Sequence, residues 1–196
     1  MAKRLFDLIT AVLALALLSP LFLCVGLAIK MTSPGPVFYR QIRVGRRGTL
    51  FKIIKFRTMA PSGSNAPQIT VAGDARITPI GSWMRRFKID ELPQLINVIV
   101  GDMSFVGPRP EVPEYVALWP ESARDVVLSV RPGITDLASI EFRDEAAFLA
   151  RYPDPEAAYR SIVIPRKLEL CLTYVRTRTF ARDVTLILKT IMLIGR

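Results

Sequence analysis

The chain has 196 residues, a length that allows one domain with a real hydrophobic core. It carries 27 Lys plus Arg against 17 Asp plus Glu, and 51% of its residues are hydrophobic, so the composition excludes a disordered chain and favours contact with a membrane or an anionic partner. It contains no histidine, which excludes Ser-His and Cys-His nucleophiles, histidine-ligated zinc and imidazole acid-base chemistry.

The first element is a run without formal charge from Leu8 to Ile29. As one helix it would extend roughly 33 Å, enough to cross a membrane, but Pro20 after Ser19 is expected to kink or end the helix midway. Basic residues flank both sides, Lys3 and Arg4 before the run and Lys30 after it. Basic flanks mark the cytoplasmic side, so they favour a hairpin that enters and leaves by one face. A proline-kinked transmembrane helix is an equally good interpretation of these residues.

A basic β-hairpin is predicted next, with strands in residues 37–44 and 50–59 around a glycine-bounded turn. Strand alternation puts Lys55 and Arg57 on one face, about 6.6 Å apart, a spacing that suits the two phosphates of a diphosphate. Arg46 and Arg47 at the turn are more simply explained by anionic lipid headgroups. Aromatic residues among these cations leave nucleic-acid binding as an alternative.

A carboxylate pair, Asp90 and Glu91, precedes an apolar segment that ends at Gly101. A helix beginning at Asp90 is predicted, and an N-cap is the simplest role for that aspartate. An ionised carboxylate can also attack phosphorus, provided that cations or a divalent metal offset the repulsion. Arg85, Arg86 and Lys88 lie just before it in the sequence.

Beyond this helix, two arginines lie next to prolines, which restrict the backbone around them. Arg109 lies between two prolines, a setting suited to bidentate phosphate recognition. Arg131 precedes Pro132 and Gly133 in a predicted turn. Helices are predicted in residues 166–176 and 183–194, and the apolar stripe of the last one predicts core packing, with an interfacial helix as the alternative.

Five motifs in this order, behind an apolar segment containing Ser19-Pro20, resemble the bacterial sugar transferase family, and more narrowly its small monotopic phosphoglycosyl transferases. The motifs are Lys55-Phe-Arg-Thr-Met59, Asp90-Glu-Leu-Pro-Gln-Leu95, Gly101-Asp-Met-Ser104, Gly107-Pro-Arg-Pro110 and Arg131-Pro-Gly-Ile-Thr135.

The resemblance implies an α+β, mostly helical fold. It comprises a re-entrant membrane helix in residues 1–32 broken at Ser19-Pro20, a small basic β-hairpin, and a membrane-apposed catalytic domain in residues 33–196. The implied location is the cytoplasmic face of the bacterial inner membrane. The apolar segment of the family is a re-entrant helix broken at Ser-Pro, so the resemblance favours the hairpin over the transmembrane helix.

The implied reaction transfers a sugar 1-phosphate from a UDP-sugar to polyprenyl (undecaprenyl) phosphate, releasing UMP, in the first membrane step of a glycoconjugate pathway. The resemblance makes Asp90 the covalent nucleophile of a ping-pong reaction that requires Mg²⁺, with Glu91 as its partner and both as candidate metal ligands. The basic positions that it assigns to phosphate or nucleotide binding are Lys55, Arg57, Arg86, Arg109 and Arg131. Membrane lipid is an expected partner and nucleic acid is not.

One position departs from the family pattern. Asp136 follows the last motif where relatives often have glycine, a residue that can serve a positive φ, which Asp tolerates better than most residues. The departure leaves the reaction class unchanged and leaves open the sugar identity and the contacts of this loop. The alternative from another class is a non-catalytic, membrane-anchored basic protein that binds anionic lipid or RNA.

Overall fold

The computed structural model describes residues 2–60 and 69–194. Helices dominate this α+β structure, and two small two-stranded sheets accompany them. The helices are α1 (Ala2–Leu17), α2 (Ser19–Thr32), α3 (Pro79–Arg86), α4 (Gln94–Val100), α5 (Pro113–Val116), α6 (Glu121–Leu128), α7 (Leu137–Glu141), α8 (Glu145–Leu149), α9 (Pro155–Ala158), α10 (Ile164–Thr177) and α11 (Phe180–Leu193). The strands are β1 (Phe38–Val44), β2 (Leu50–Phe56), β3 (Ser104–Val106) and β4 (Gly133–Thr135).

The long apolar helix is interrupted at the predicted position. Leu18 separates α1 from α2 with φ −87° and ψ 0°, and Pro20 lies in the first turn of α2. The hydroxyl of Ser19 donates to the carbonyl of Ala16 at 2.8 Å and so satisfies a carbonyl beside the break. By length and composition the span Ala2–Thr32 could cross a membrane.

One stripe of this helix packs on the rest of the protein along its whole length. Ala11 is buried against β2 and α4, while Val25 and Ile29 are buried against β2 and α3. The opposite stripe is exposed and apolar; its leucines are Leu5, Leu13, Leu17, Leu23 and Leu27. The helix therefore has one protein-facing side and one exposed apolar side, of the kind that marks a membrane or protein interaction surface.

Polar contacts hold the start of α1 on the same body. Arg4 donates to the carbonyls of Val98 and Ile99 at 2.6 and 3.0 Å, which satisfies the open carbonyl end of α4. Asp7 is buried and accepts from the hydroxyl of Ser104 at 2.8 Å. Lys3 and Arg4 thus make specific protein contacts in addition to lying on the flank of an apolar run.

The predicted basic hairpin is confirmed, with β1 and β2 pairing antiparallel from Phe38 opposite Phe56 to Val44 opposite Leu50. The sequence did not predict the second sheet, in which β3 and β4 pair in parallel. Gly107 and Gly133 permit this pairing, because a Cβ atom at Gly133 would collide with the backbone nitrogen of Gly107. The fourth and fifth of the family motifs therefore meet at one backbone crossing.

The last two predicted helices are present, but the expected core packing of α11 is only partly correct. Ile187 of the predicted stripe is partly buried against β3 and α10, and Leu186, which lies outside that stripe, is buried there. Leu188, Ile191 and Met192 are 55–60% exposed, because the stripe is wider than the surface available to cover it. Phe180 at the start of α11 contacts Phe6 of α1, so the exposed apolar sides of α1 and α11 are close together.

Candidate active site

A tight turn positions the carboxylate pair. Lys88 adopts a left-handed conformation with φ 55°, and a 3₁₀ turn from Ile89 to Glu91 follows it. The helix α4 starts at Gln94, directly after Pro93, and therefore later than the predicted start at Asp90. It ends at Gly101 as predicted. The N-cap role expected for Asp90 is wrong, since no side chain caps this helix and Asp90 lies within the 3₁₀ turn.

Glu91 is enclosed by two cations from distant parts of the chain. Lys55 on β2 donates to Oε1 at 2.8 Å, and Arg109 binds both carboxylate oxygens, with Nη1 at 3.0 Å from Oε2. The Glu91 side chain is 12% exposed. Burial acts to raise the pKa of Glu91, but Arg109 and Lys55 together outweigh it and hold this pKa well below its ordinary value. Glu91 is therefore a fixed negative charge that holds two cations together.

Asp90 has the opposite environment, although it is the adjacent residue. It is 7% exposed, and its buried Oδ1 has no hydrogen-bond partner among the described residues. Burial raises the pKa of Asp90 and the charge of Glu91 raises it further, while Lys55, Lys88 and Arg85 act against this rise. A poorly solvated carboxylate oxygen surrounded by cations has the properties of a nucleophile for an anionic phosphorus centre.

Arg85 is a basic residue near Asp90 that the predicted phosphate-binding set does not include. It lies in the last turn of α3, and its Nε donates to the hydroxyl of Thr58 at 2.9 Å. Burial lowers the pKa of Arg85, and the charge of Asp90 opposes that shift. Arg86 is exposed and its guanidinium lies over the ring of Phe87 at 5.7 Å. Arg85 and Arg86 are neighbours in the sequence, but the packing of α3 leaves Arg85 partly buried and Arg86 exposed.

The remaining predicted basic residues lie at different places. Lys55 and Arg109 meet at Glu91, as described above. Arg57 is 7% exposed and donates to the carbonyls of Ser33 and Pro34, which ties the end of α2 to β2. Arg131 donates from Nε to the carbonyl of Gly101 at 2.8 Å, and its other donors are not engaged by any carboxylate among the described residues. The structure brings Lys55 and Arg109 to one site and does not place Arg57 beside them.

Asp136 fixes the backbone of Arg109 and the start of α7 by hydrogen bonding. Its carboxylate accepts from the backbone nitrogen of Arg109 at 3.0 Å and caps α7 by accepting from Ser139 N at 2.6 Å. Asp136 is 1% exposed with φ −157°, so this position does not use the positive φ that a glycine could serve. In the sequence, the one signal of this role was the departure from the family pattern at Asp136. The Asp136 side chain fills the role by accepting hydrogen bonds from Arg109 and Ser139.

The contacts of the two carboxylates bear on the predicted magnesium ligands. No group of three or more Asp, Glu, Cys or His side chains that could hold a metal by itself is present in the described parts of the chain. Magnesium is commonly held by one or two carboxylates together with substrate phosphates and water. The unpartnered Oδ1 of Asp90 fits such a site, whereas both oxygens of Glu91 are already engaged by cations.

Comparison with known proteins gives a consistent family. The family model described as bacterial sugar transferase matches residues 1–196. The exopolysaccharide production protein ExoY of Sinorhizobium fredii is 40% identical over 166 residues, which cover 76% of this chain and 73% of that protein.

Two longer relatives have names that specify a reaction. The UDP-glucose:undecaprenyl-phosphate glucose-1-phosphate transferase of Escherichia coli is 36% identical over 194 residues, covering 96% of this chain and 39% of that protein. The UDP-N-acetylgalactosamine-undecaprenyl-phosphate N-acetylgalactosaminephosphotransferase of Aeromonas hydrophila is 43% identical over 141 residues, covering 70% of this chain and 33% of that protein. Relatives of similar identity thus have names that specify different donor sugars.

Proposed function

The chain belongs to the bacterial sugar transferase family, and from this premise we propose that it transfers a sugar 1-phosphate from a UDP-sugar to undecaprenyl phosphate. The names of its relatives supply the donor class and the acceptor. The observation that carries the proposal is the buried Oδ1 of Asp90, which has no partner among the described residues, beside a Glu91 that is paired with Lys55 and Arg109. The donor sugar stays open, since the relatives differ in it.

The proposed reaction consists of two successive displacements at one phosphorus. In the first, an oxygen of Asp90 attacks the phosphorus linked to the sugar, the bond from that phosphorus to the bridging oxygen of the diphosphate breaks, and UMP leaves with that oxygen. In the second, an oxygen of undecaprenyl phosphate attacks the same phosphorus, the Asp90–phosphorus bond breaks, and the carboxylate is regenerated. Each step exchanges one P–O bond for another, so a ping-pong order with UMP leaving first follows.

The surrounding cations have distinct roles in this scheme. Lys55 acts on both carboxylates and Arg109 binds the adjoining Glu91, so both supply positive charge where the diphosphate must approach. Glu91 orients both of them through its paired oxygens and is itself a positioning residue. Arg85 adds a third positive charge near Asp90, and Arg131 is a candidate for the phosphates at greater distance.

Asp90, together with phosphate oxygens of the donor, would hold the magnesium ion that the family resemblance implies. When bound, the ion would neutralise charge on the diphosphate and so reduce its repulsion of the carboxylate. Glu91 would contribute an oxygen only by giving up one of its present contacts to Lys55 or Arg109.

The proposed membrane arrangement is a re-entrant helix in residues 1–32 and a catalytic domain in residues 33–196 on the cytoplasmic face. Both ends of the apolar helix contact the same body, Arg4 at α4 and Ile29 at α3, which supports entry and exit on one side. The exposed apolar residues of α1 and α11 would face the bilayer, and α11 would lie along its surface.

Thiol labelling tests the topology. In a chain with both native cysteines replaced, new cysteines at Ala2 and at Met31, both exposed positions, would react with a membrane-impermeant reagent from the cytoplasmic side only. Labelling of the two positions from opposite sides would refute the re-entrant arrangement.

The activity itself is tested by UMP release. Purified chain, Mg²⁺, undecaprenyl phosphate and a panel of UDP-sugars should give UMP with at least one donor, and intact-mass analysis without acceptor should detect the added phosphosugar. No release with any donor would favour the non-catalytic alternative. For the RNA form of that alternative, Phe56 is 1% exposed and Phe38 stacks on it, which leaves Tyr39, 46% exposed, as the aromatic of β1 that is open to bases.

A further inference from the structure

A basic groove lies at the other end of the hairpin from the candidate active site. It measures about 620 Å³ and is formed by the turn between β1 and β2 and by the outer side of α6. Its charged lining consists of Arg46, Arg47, Arg124 and Asp125. From Leu50 to Lys55 the strand β2 covers roughly 17 Å, so the groove and the carboxylate pair are separate sites.

The turn that carries two of these arginines is well defined. Gly45 donates to the carbonyl of Thr49 at 2.7 Å, and the Thr49 hydroxyl donates to the carbonyl of Arg46 at 2.9 Å. Arg47 adopts a left-handed conformation with φ 58°. The Nε of Arg46 donates to the carbonyl of Ser129 at 3.1 Å, which fixes the guanidinium at the edge of the groove and leaves its terminal donors free of that contact.

The charges of the groove are not neutralised from within the protein. None of its three arginines forms an ion pair with a carboxylate in residues 2–60 or 69–194, and Asp125 is the one acid in the lining. Val44 and Leu128 supply an apolar floor beneath the guanidinium groups. A groove lined by three arginines, with a size in the ordinary range of small-ligand pockets, suits a phosphate-bearing molecule.

We propose that this groove binds a phosphate-bearing anion, at a site distinct from the one that performs the transfer. Two sources have this chemistry, a free phosphorylated small molecule and the headgroup of an anionic lipid. The exposed Leu50 beside the turn favours the lipid source, and the volume of the groove would accommodate a free phosphorylated molecule. In either case the guanidinium groups of Arg46 and Arg124 bind the phosphate.

Hydrogen exchange measured by mass spectrometry tests the site on the full chain in detergent. Saturating inorganic diphosphate is expected to slow exchange in residues 45–50 and 124–129. In the double variant Arg46→Gln with Arg124→Gln, the apparent Kd for this protection should rise at least tenfold. A matched control, Arg151→Gln with Arg176→Gln, removes the same charge at two other exposed positions and should behave as the unchanged chain.

A second arm separates the two sources. Vesicles of phosphatidylcholine are compared with vesicles in which a third of the lipid is phosphatidylglycerol. Protection of the two segments by phosphatidylglycerol but not by diphosphate assigns the lipid headgroup, and the reverse assigns the free anion. Either result supports the site. No protection by either probe, or equal loss in the matched control, would overturn it.

Because Arg46 also holds the turn, Arg124→Gln alone is included. Its side chain makes no hydrogen bond or ion pair within the described residues, so its ligand-free exchange pattern should match that of the unchanged chain. Retained protection with unaltered affinity in this variant would contradict the role assigned to Arg124.

Discussion

Asp90 and Glu91 are adjacent in the chain but lie in two different regions of the site. The Glu91 region is a closed ion cluster in which Lys55 and Arg109 occupy both carboxylate oxygens. The Asp90 region is also shielded from water, but in residues 2–60 and 69–194 it provides no partner for Oδ1. Two neighbouring carboxylates therefore need not share one role, since Glu91 organises the cations while Asp90 stays available for the substrate.

The strongest test of this division is Asp90→Asn. If Asp90 is the nucleophile, UMP release should fall by at least about 1,000-fold, the scale of losing a covalent nucleophile. The unfolding temperature should rise. Since burial raises the pKa of Asp90, the charged form destabilises the folded state once the pH exceeds the ordinary aspartate pKa, and asparagine lacks that charge. Differential scanning calorimetry and a UMP assay make both measurements, and substantial turnover by this variant would refute the assignment.

Glu91→Gln should act mainly on stability. Removing one partner of a buried ion cluster leaves Lys55 and Arg109 uncompensated, which should cost about 2–4 kcal/mol, somewhat less than is usual for a buried pair because both cations are partly exposed. The loss should be full at neutral pH and shrink in acid, because the depressed pKa of Glu91 makes its stabilisation disappear as the pH falls through that value. Urea unfolding at pH 7 and pH 4 measures it. Equal losses at the two pH values would contradict this account.

Arg109→Lys separates charge from geometry in the Glu91 region. Lysine keeps the charge but cannot make two parallel hydrogen bonds to one carboxylate, so kcat/KM for the UDP-sugar should fall about 10- to 100-fold. The matched comparison is Arg86→Lys, at an exposed position whose guanidinium lies over Phe87, where a much smaller effect is expected. Steady-state UMP release over a range of donor concentrations measures both, and equal effects would remove the special position of Arg109.

The smallest expected effect is a shift in pH dependence. Activity should decline as the pH falls, with a midpoint above the ordinary pKa of an aspartate, because burial and then Glu91 raise the pKa of Asp90. In Glu91→Gln one of these causes is absent, so the midpoint should move to lower pH. Single-turnover UMP release between pH 4 and pH 8 tests this shift, and a midpoint that moves upward would place the titration on another group.

Local patterns predicted much of the fold. The interruption near Ser19-Pro20, the β1–β2 hairpin, the end of α4 at Gly101 and the two last helices follow from proline, glycine and periodicity, which act within a few residues. The parallel β3–β4 pair was not predicted. Its strands have three residues each, and their pairing depends on two glycines that meet only after folding.

The amino-acid sequence was sufficient to predict the family, which the family model confirms, and to single out the two adjacent carboxylates as candidates, because ordered motifs and the absence of histidine restrict the chemistry. The three-dimensional structure was needed to show that Glu91 is paired and Asp90 is not, that Arg57 holds α2, and that α11 leaves an apolar side open. The physical reason is distance along the chain. Burial and ion pairing arise from Lys55, Glu91 and Arg109 meeting in space, and no local pattern encodes that meeting.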